Sequence, residues 1–135
     1  MRLLIDTNVI LDVFMRREPF FADSYRAIRT AAEQGHECLL SASAATDIFY
    51  ILRKHLKSPE EAKARLRDLA KLAQFTDVQP ADIDTALTAE MPDFEDAVVN
   101  AIAVRVGADY ILTRNTKDFS GAKAHAIAPV DFNML

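Results

Sequence analysis

Cysteine occurs once, at Cys38. Tryptophan is absent, and glycine and histidine appear three times each. A lone cysteine excludes an internal disulfide, and the apolar Leu39 and Leu40 beside it point to a buried structural thiol. Three isolated glycines cannot build a glycine-rich phosphate loop. His36, His55 and His125 show no ligand spacing, which argues against zinc, and no serine nucleophile elbow is present. No apolar run approaches the roughly 20 residues that cross a bilayer, so no membrane association is expected. Met1 and Arg2 lead straight into a strand pattern instead of a signal peptide, and a cytoplasmic location is the default expectation.

Basic residues are also in short supply: 16 Lys and Arg against 20 Asp and Glu, for a net charge of −4. That balance argues against a protein that only coats nucleic acid, because phosphate contacts require clustered cations. An enzyme that commits its acids to a metal and keeps a local basic patch stays open. What remains is an ordinary globular composition, half hydrophobic and 27% charged. Its 135 residues suit one domain, 1–135, with a sizeable core.

Short apolar strands alternate with helical periods. Strands are expected at Leu3 to Ile5, Glu37 to Leu40, Phe75 to Val78 and Tyr110 to Leu112, with a weaker one at Ala126 to Ala128. A turn at Thr7-Asn8 leads into a short helix from Val9 to Phe14. Phe20 to Glu33 carries a helical pattern through Tyr25, Ile28 and Ala32, stopped by Gly35. Ser43 to Leu56 is amphipathic. Ser58-Pro59-Glu60-Glu61 is a capping box that starts a helix reaching about Ala73. Ala81 to Met91 is helical, and Asp93 starts a further helix that Gly107 ends. This order implies an α/β fold whose parallel sheet is covered on both faces. Ligands of such sheets sit beyond the carboxyl ends of the strands.

Acidic and polar residues gather at those ends. "LLIDTN" runs an apolar strand into Asp6, followed by Thr7 and Asn8. In "MPDFEDAVVNAIA", Asp93 and Glu95 read well as cap and dipole charges, whereas Asp96 sits at the edge of the buried stripe. "ILTRNTKDF" crowds Thr113, Arg114, Asn115 and Asp118 into one loop. Asp47 falls at the margin of an apolar stripe, and a solvated residue pairing with Lys54 and a pocket carboxylate are both open. If the first and fourth strands are neighbours, Asp6, Asp96, Asn115 and Asp118 converge. Carboxylates that close require a cation, and oxygen donors suit Mg²⁺ or Mn²⁺.

Taken together, "LLIDTNVILDVF", "SASAATDIFYILRK", "DFEDAVVNAIA" and "GADYILTRNTKDF" resemble, in order and spacing, the PIN-domain ribonucleases. The likeness is to the VapC-type toxins of toxin–antitoxin pairs and spans essentially the whole chain. It implies a single three-layer PIN-like domain with strand order 3-2-1-4-5. It implies Mg²⁺- or Mn²⁺-dependent hydrolysis of RNA, a homodimer, and a separately encoded antitoxin. Asp6 matches the family's first metal-binding Asp and Asp96 its third acid. Asn115 stands where many members have Asp, and Asp47 where many have Glu. Thus Asp6, Asp47, Asp96 and Asn115 are the expected catalytic set, with Asp6 and Asp96 on the metal. Asp93, Asp118, Thr7, Asn8 and Thr113 are possible additions. Arg16, Arg17, Arg53, Lys54 and Lys57 are candidates for a basic RNA-facing rim. One competing reading is a PIN-like scaffold that binds RNA or a partner without cleaving. Another is a receiver-like module using Asp77 of "FTDVQP", although the first strand lacks the pair of acids such a module needs.

Overall fold

The computed structural model describes residues 1–135. Five strands form one parallel sheet: β1 (Arg2–Ile5), β2 (Glu37–Ser41), β3 (Gln74–Thr76), β4 (Tyr110–Leu112) and β5 (Ala126–Ile127). Their order is β3-β2-β1-β4-β5. The helices are α1 (Thr7–Phe14), α2 (Phe21–Glu33), α3 (Ala42–Leu56), α4 (Pro59–Leu72), α5 (Pro80–Thr88), α6 (Phe94–Val106) and α7 (Pro129–Phe132).

Alternation along the short strands divides the core. Leu3 and Ile5 of β1 join Cys38 and Leu40 of β2 and Leu112 of β4 on one face, where α1 to α4 and Phe132 of α7 cover them. Leu4, Leu39 and Ile111 point to the other face, against Ile102 and Ala103 of α6 and Phe119. Burial on both faces is why the strands read as continuous apolar runs.

The register delivers the site. Ile5 pairs with Leu112, so β1 and β4 end level with each other. The Asp6 amide donates to the Leu112 carbonyl at 2.9 Å, and the Thr113 amide to the Ile127 carbonyl at 3.0 Å. Both residues are thereby fixed at the carboxyl edge of the sheet.

Several expectations are corrected locally. Thr7 and Asn8 already lie in α1, because Asp6 itself is the N-cap and leaves no separate turn. The buried face of α2 is Ser24, Ala27 and Ala31, one residue out from the expected stripe, and Tyr25 is exposed. Ser58 caps α4 by accepting from the Glu61 amide at 3.1 Å. A 3-10 turn (Thr116–Phe119) and α7 appear where no helix was expected, both too short to show a period. Gly107 ends α6 in the left-handed region (φ 68°), as a glycine C-cap should.

Candidate active site

Two helices begin at the sheet edge and supply its acids. Asp6 leaves β1 and caps α1, its Oδ1 accepting from the Thr7 amide at 2.8 Å. Its Oδ2 accepts from the Thr113 hydroxyl at 2.9 Å and from Asn8 Nδ2 at 3.3 Å. The carboxylate is therefore buried but gripped on both oxygens. Burial pushes its pKa up, and the Thr113 and Thr7 hydrogen bonds work against that rise.

Across the gap, Asp93 caps α6, with Oδ1 accepting from the Asp96 amide at 2.9 Å. That bond starts the helix and presents Glu95 and Asp96 in its first turn. After β4, the Asn115 amide donates to Thr113 Oγ1 at 3.1 Å, and the Asp118 amide to the Asn115 carbonyl at 3.0 Å.

Asp6, Asp93, Glu95, Asp96 and Asp118 line one open cavity together with Thr7, Asn8, Asn115 and Arg17. The structure thus brings together every candidate from the first strand, the α6 start and the β4 loop. Thr113 is fully buried just beneath, holding Asp6 and Asn115. Asp47 lies next door. It is exposed on α3 and lines an adjoining groove that shares Asp6, Thr7 and Glu95 with the cavity. It forms no ion pair with Lys54; the charged pairs of the protein lie elsewhere. Of the expected basic rim, only Arg17 reaches the cavity lining. Arg16 packs over the Phe21 ring and Arg53 over Tyr50, and Arg53, Lys54 and Lys57 are exposed at the far part of α3 and its end.

None of the five cavity carboxylates has a salt-bridge partner. The consequence is electrostatic. Burial raises Asp96 to about 6, reinforced by the charges of Asp93, Asp6, Asp118 and Glu95. Burial likewise raises Glu95, with Asp47, Asp6 and Asp93 adding to it. No three acidic, histidine or cysteine side chains are drawn close enough to form a ready-made metal cluster. The chemistry of the donor set nevertheless fits a hard divalent cation: carboxylate and amide oxygens, uncompensated charge, and no sulfur or imidazole.

Two features escaped the reading of the sequence. Glu95 reads from the sequence as a helix-dipole charge, yet it lines both the cavity and the groove. Asp12 lies among the apolar residues of α1, with no role read from the sequence. It is fully buried and paired with Arg114, at 2.6 and 3.0 Å. An acid in the middle of "NVILDVF" was the available signal, since a buried charge needs a partner. Asp77, the anchor of the receiver-like reading, is bound to Gln79 and Arg105 and lines neither opening.

A family profile described as PIN domain matches residues 2–117. The chain belongs to the PIN-domain family. One relative of this PIN domain is the Ribonuclease VapC1 of Aquifex aeolicus (strain VF5), 24% identical over 136 residues, or 97% of this chain and 92% of the relative. Its fold is shared by VapBC2 from Rickettsia felis, solved with a DNA fragment from its promoter (TM-score 0.74, 14% identity, 95% and 98% of the two chains). It is also shared by Mycobacterium tuberculosis VapC20, a sarcin–ricin loop cleaving toxin (TM-score 0.71, 11% identity, 88% and 94%). A toxin–antitoxin complex from Klebsiella pneumoniae matches at TM-score 0.72 and 21% identity over 94% and 97%.

Proposed function

We propose that this PIN domain is a divalent-metal-dependent endoribonuclease and the toxin half of a toxin–antitoxin pair. The observation that carries the proposal is the cavity at the carboxyl edge of β1 and β4, where four carboxylates surround a gripped Asp6 and none of the five has a salt-bridge partner. Asp6 and Asp96 are the residues assigned to hold Mg²⁺ or Mn²⁺, with Asn115, Asp118 and Glu95 able to complete the oxygen set. When bound, such a cation supplies Lewis acidity at a phosphoryl oxygen and neutralises the acids.

The chain's own groups do the rest. The Thr113 hydroxyl and the Thr7 amide fix the two oxygens of Asp6, so the carboxylate pays no reorganisation cost on meeting a ligand. Arg17 offers the cavity its one cation for a phosphate. Asp96, raised to about 6 by burial and by the neighbouring acids, would be drawn to its ionised form by a cation that neutralises them. The groove beyond Glu95, walled by Val78, Ile83, Phe94, Val98 and Val99, gives an antitoxin segment an apolar seat next to the acids. A basic side chain of that segment would neutralise the cavity and exclude a metal. The named relatives support this pairing.

The test is cleavage of an end-labelled structured RNA with Mg²⁺ or Mn²⁺, with EDTA, and with Asp6→Asn. Cleavage is expected only with metal and wild-type protein, and Asp6→Asn should lower it by at least about 100-fold, as loss of a preorganised electrostatic contact does. Cation binding without cleavage of any RNA would favour a binding scaffold instead.

A further inference from the structure

Arg114 lies between Thr113 and Asn115 in the loop that borders the acidic cavity. In a nuclease an arginine there invites a role on the phosphate. The structure assigns it elsewhere. Its Nε and Nη2 are both spent on Asp12, at 2.6 and 3.0 Å. Its guanidinium lies over the Phe20 ring, 3.9 Å from the centroid. It lines a separate cavity with Phe20, Ser24 and Pro129, not the acidic one.

We infer that the buried Asp12–Arg114 pair is a positioning device for the acidic cavity: it clamps the loop carrying Thr113, Asn115 and Asp118 onto α1, an inference that rests on the function proposed above. Asp12 is 0% exposed and also accepts from Ser24 Oγ at 3.2 Å, which ties α2 into the same node. From Arg114 the connection runs inward. Its amide donates to Asn8 Oδ1 at 3.4 Å, and Asn8 Nδ2 reaches Asp6 Oδ2 and Thr113 Oγ1, both at 3.3 Å. Every link from Asp12 to the Asp6 carboxylate is thus a directed hydrogen bond or a peptide unit.

Stability alone is a poor reason for such a pair. Desolvating two charges offsets most of their attraction, and apolar residues of similar volume often replace buried pairs without loss. What apolar residues cannot reproduce is the rigid two-pronged fork of arginine on carboxylate. The fork fixes the direction in which Arg114, and hence Thr113 and Asn115, leave β4. Removing partners that orient the direct ligands of a metal typically costs about 10–100-fold in metal affinity or activity.

The experiment compares wild type with the double variant Asp12→Leu/Arg114→Met, which removes both charges, and with Arg114→Lys, which keeps the charge but not the fork. Three readouts are taken: melting temperature, Mn²⁺ affinity by paramagnetic resonance, and kcat and KM on RNA. The double variant should fold. Both variants should bind Mn²⁺ about 10-fold or more weakly and lose kcat with KM little changed. The protection factor of the Asn115 amide against hydrogen exchange should fall in both. Wild-type Mn²⁺ affinity and Asn115 protection in a folded variant would overturn the inference, leaving the pair as packing. If wild type itself neither binds Mn²⁺ nor cleaves RNA, the functional proposal fails. The Asn115 amide then decides the clamp by itself: lost protection supports it and unchanged protection refutes it.

Discussion

Asp96 ionises near pH 6 in the folded protein, against 3.8 for the free side chain, first because it is partly buried and then because four other acids surround it. Between those values the folded chain holds a proton that the unfolded chain has released. Stability therefore falls as pH rises from about 4 to about 6, and this group adds no further change above. The depressed carboxylates, Asp77 and Asp82, act in the opposite sense but only below about pH 4, since their folded pKa values lie under the ordinary one. A cation binds the ionised acids and competes with protons. Thermal melts should accordingly show the metal-free protein more stable at pH 5 than at pH 7, and Mn²⁺ should raise the melting temperature more at pH 7. Asp96→Asn should reduce that contrast, with Asp6 and Glu95, raised in the same direction, supplying the rest; an unchanged contrast would place its origin elsewhere. Asp93 plays a different part, since its Oδ1 is turned to the Asp96 amide. Asp93→Ser or Asn should keep stability and most cleavage, whereas Asp93→Ala should cost about 1 kcal/mol through the lost cap. A loss of cleavage in Asp93→Asn as deep as in Asp6→Asn would make Asp93 a direct ligand. At this scale Asp6, Asp96, Asn115 and Asp118 were legible because strand ends and a helix start announce themselves. Glu95 and Asp12 were not, because a linear pattern does not say which way a first-turn side chain turns or what a buried acid meets.

Among the elements, α6 matters most, since its N-cap and first turn carry three of the cavity acids. Its seat depends on α5. Asp82 is buried there and accepts from Arg105 of α6 at 2.9 Å through both Nε and Nη2, and from the Gln79 amide at 2.8 Å. The Arg105 Nη2 also donates to the Asp77 carbonyl at 2.7 Å. Asp82→Ala leaves Arg105 with Asp77 alone and takes the side-chain acceptor from the Gln79 amide, and should lower stability by about 2 kcal/mol, measured by urea denaturation. A change below about 1 kcal/mol would mean that apolar packing alone holds the two helices together. Helix boundaries marked by chemistry were readable: Ser58, Asp93 and Gly107 act as their residue types predict. Faces were less so. The buried stripe of α2 is built from Ser24 and two alanines, and hydropathy gives small residues little weight, so the larger Tyr25 drew the stripe out of phase. The apolar residues of α3 divide between core and surface in the structure. Ile48 and Leu52 are core, and Tyr50 and Ile51 are exposed, with Ile51 at the rim of the acidic cavity.

For the whole molecule, alternating strands and helices established an α/β sheet, but not which strands are neighbours. The order β3-β2-β1-β4-β5 came from family resemblance, because parallel strands pair through crossovers that leave no local mark. Placing β1 beside β4 is what joins acids 90 residues apart in sequence (Asp6 and Asp96) in one cavity. The molecule also leaves Tyr50 at 61% and Leu72 at 51% exposure, on α3 and α4. Exposed apolar residues of this size suit an interface, and a homodimer is the proposed state. Light scattering at micromolar concentration should give twice the 15.0 kDa chain mass, and a clean monomer would contradict it. Whether the acidic cavity holds a cation, as proposed, is decided by Mn²⁺-soaked crystals read at the manganese absorption edge. An anomalous peak is expected in the cavity within about 2.1 Å of oxygens of both Asp6 and Asp96, lost in Asp6→Asn. A fully soaked crystal with no peak there, or with its only strong peak away from Asp6 and Asp96, would contradict that proposal.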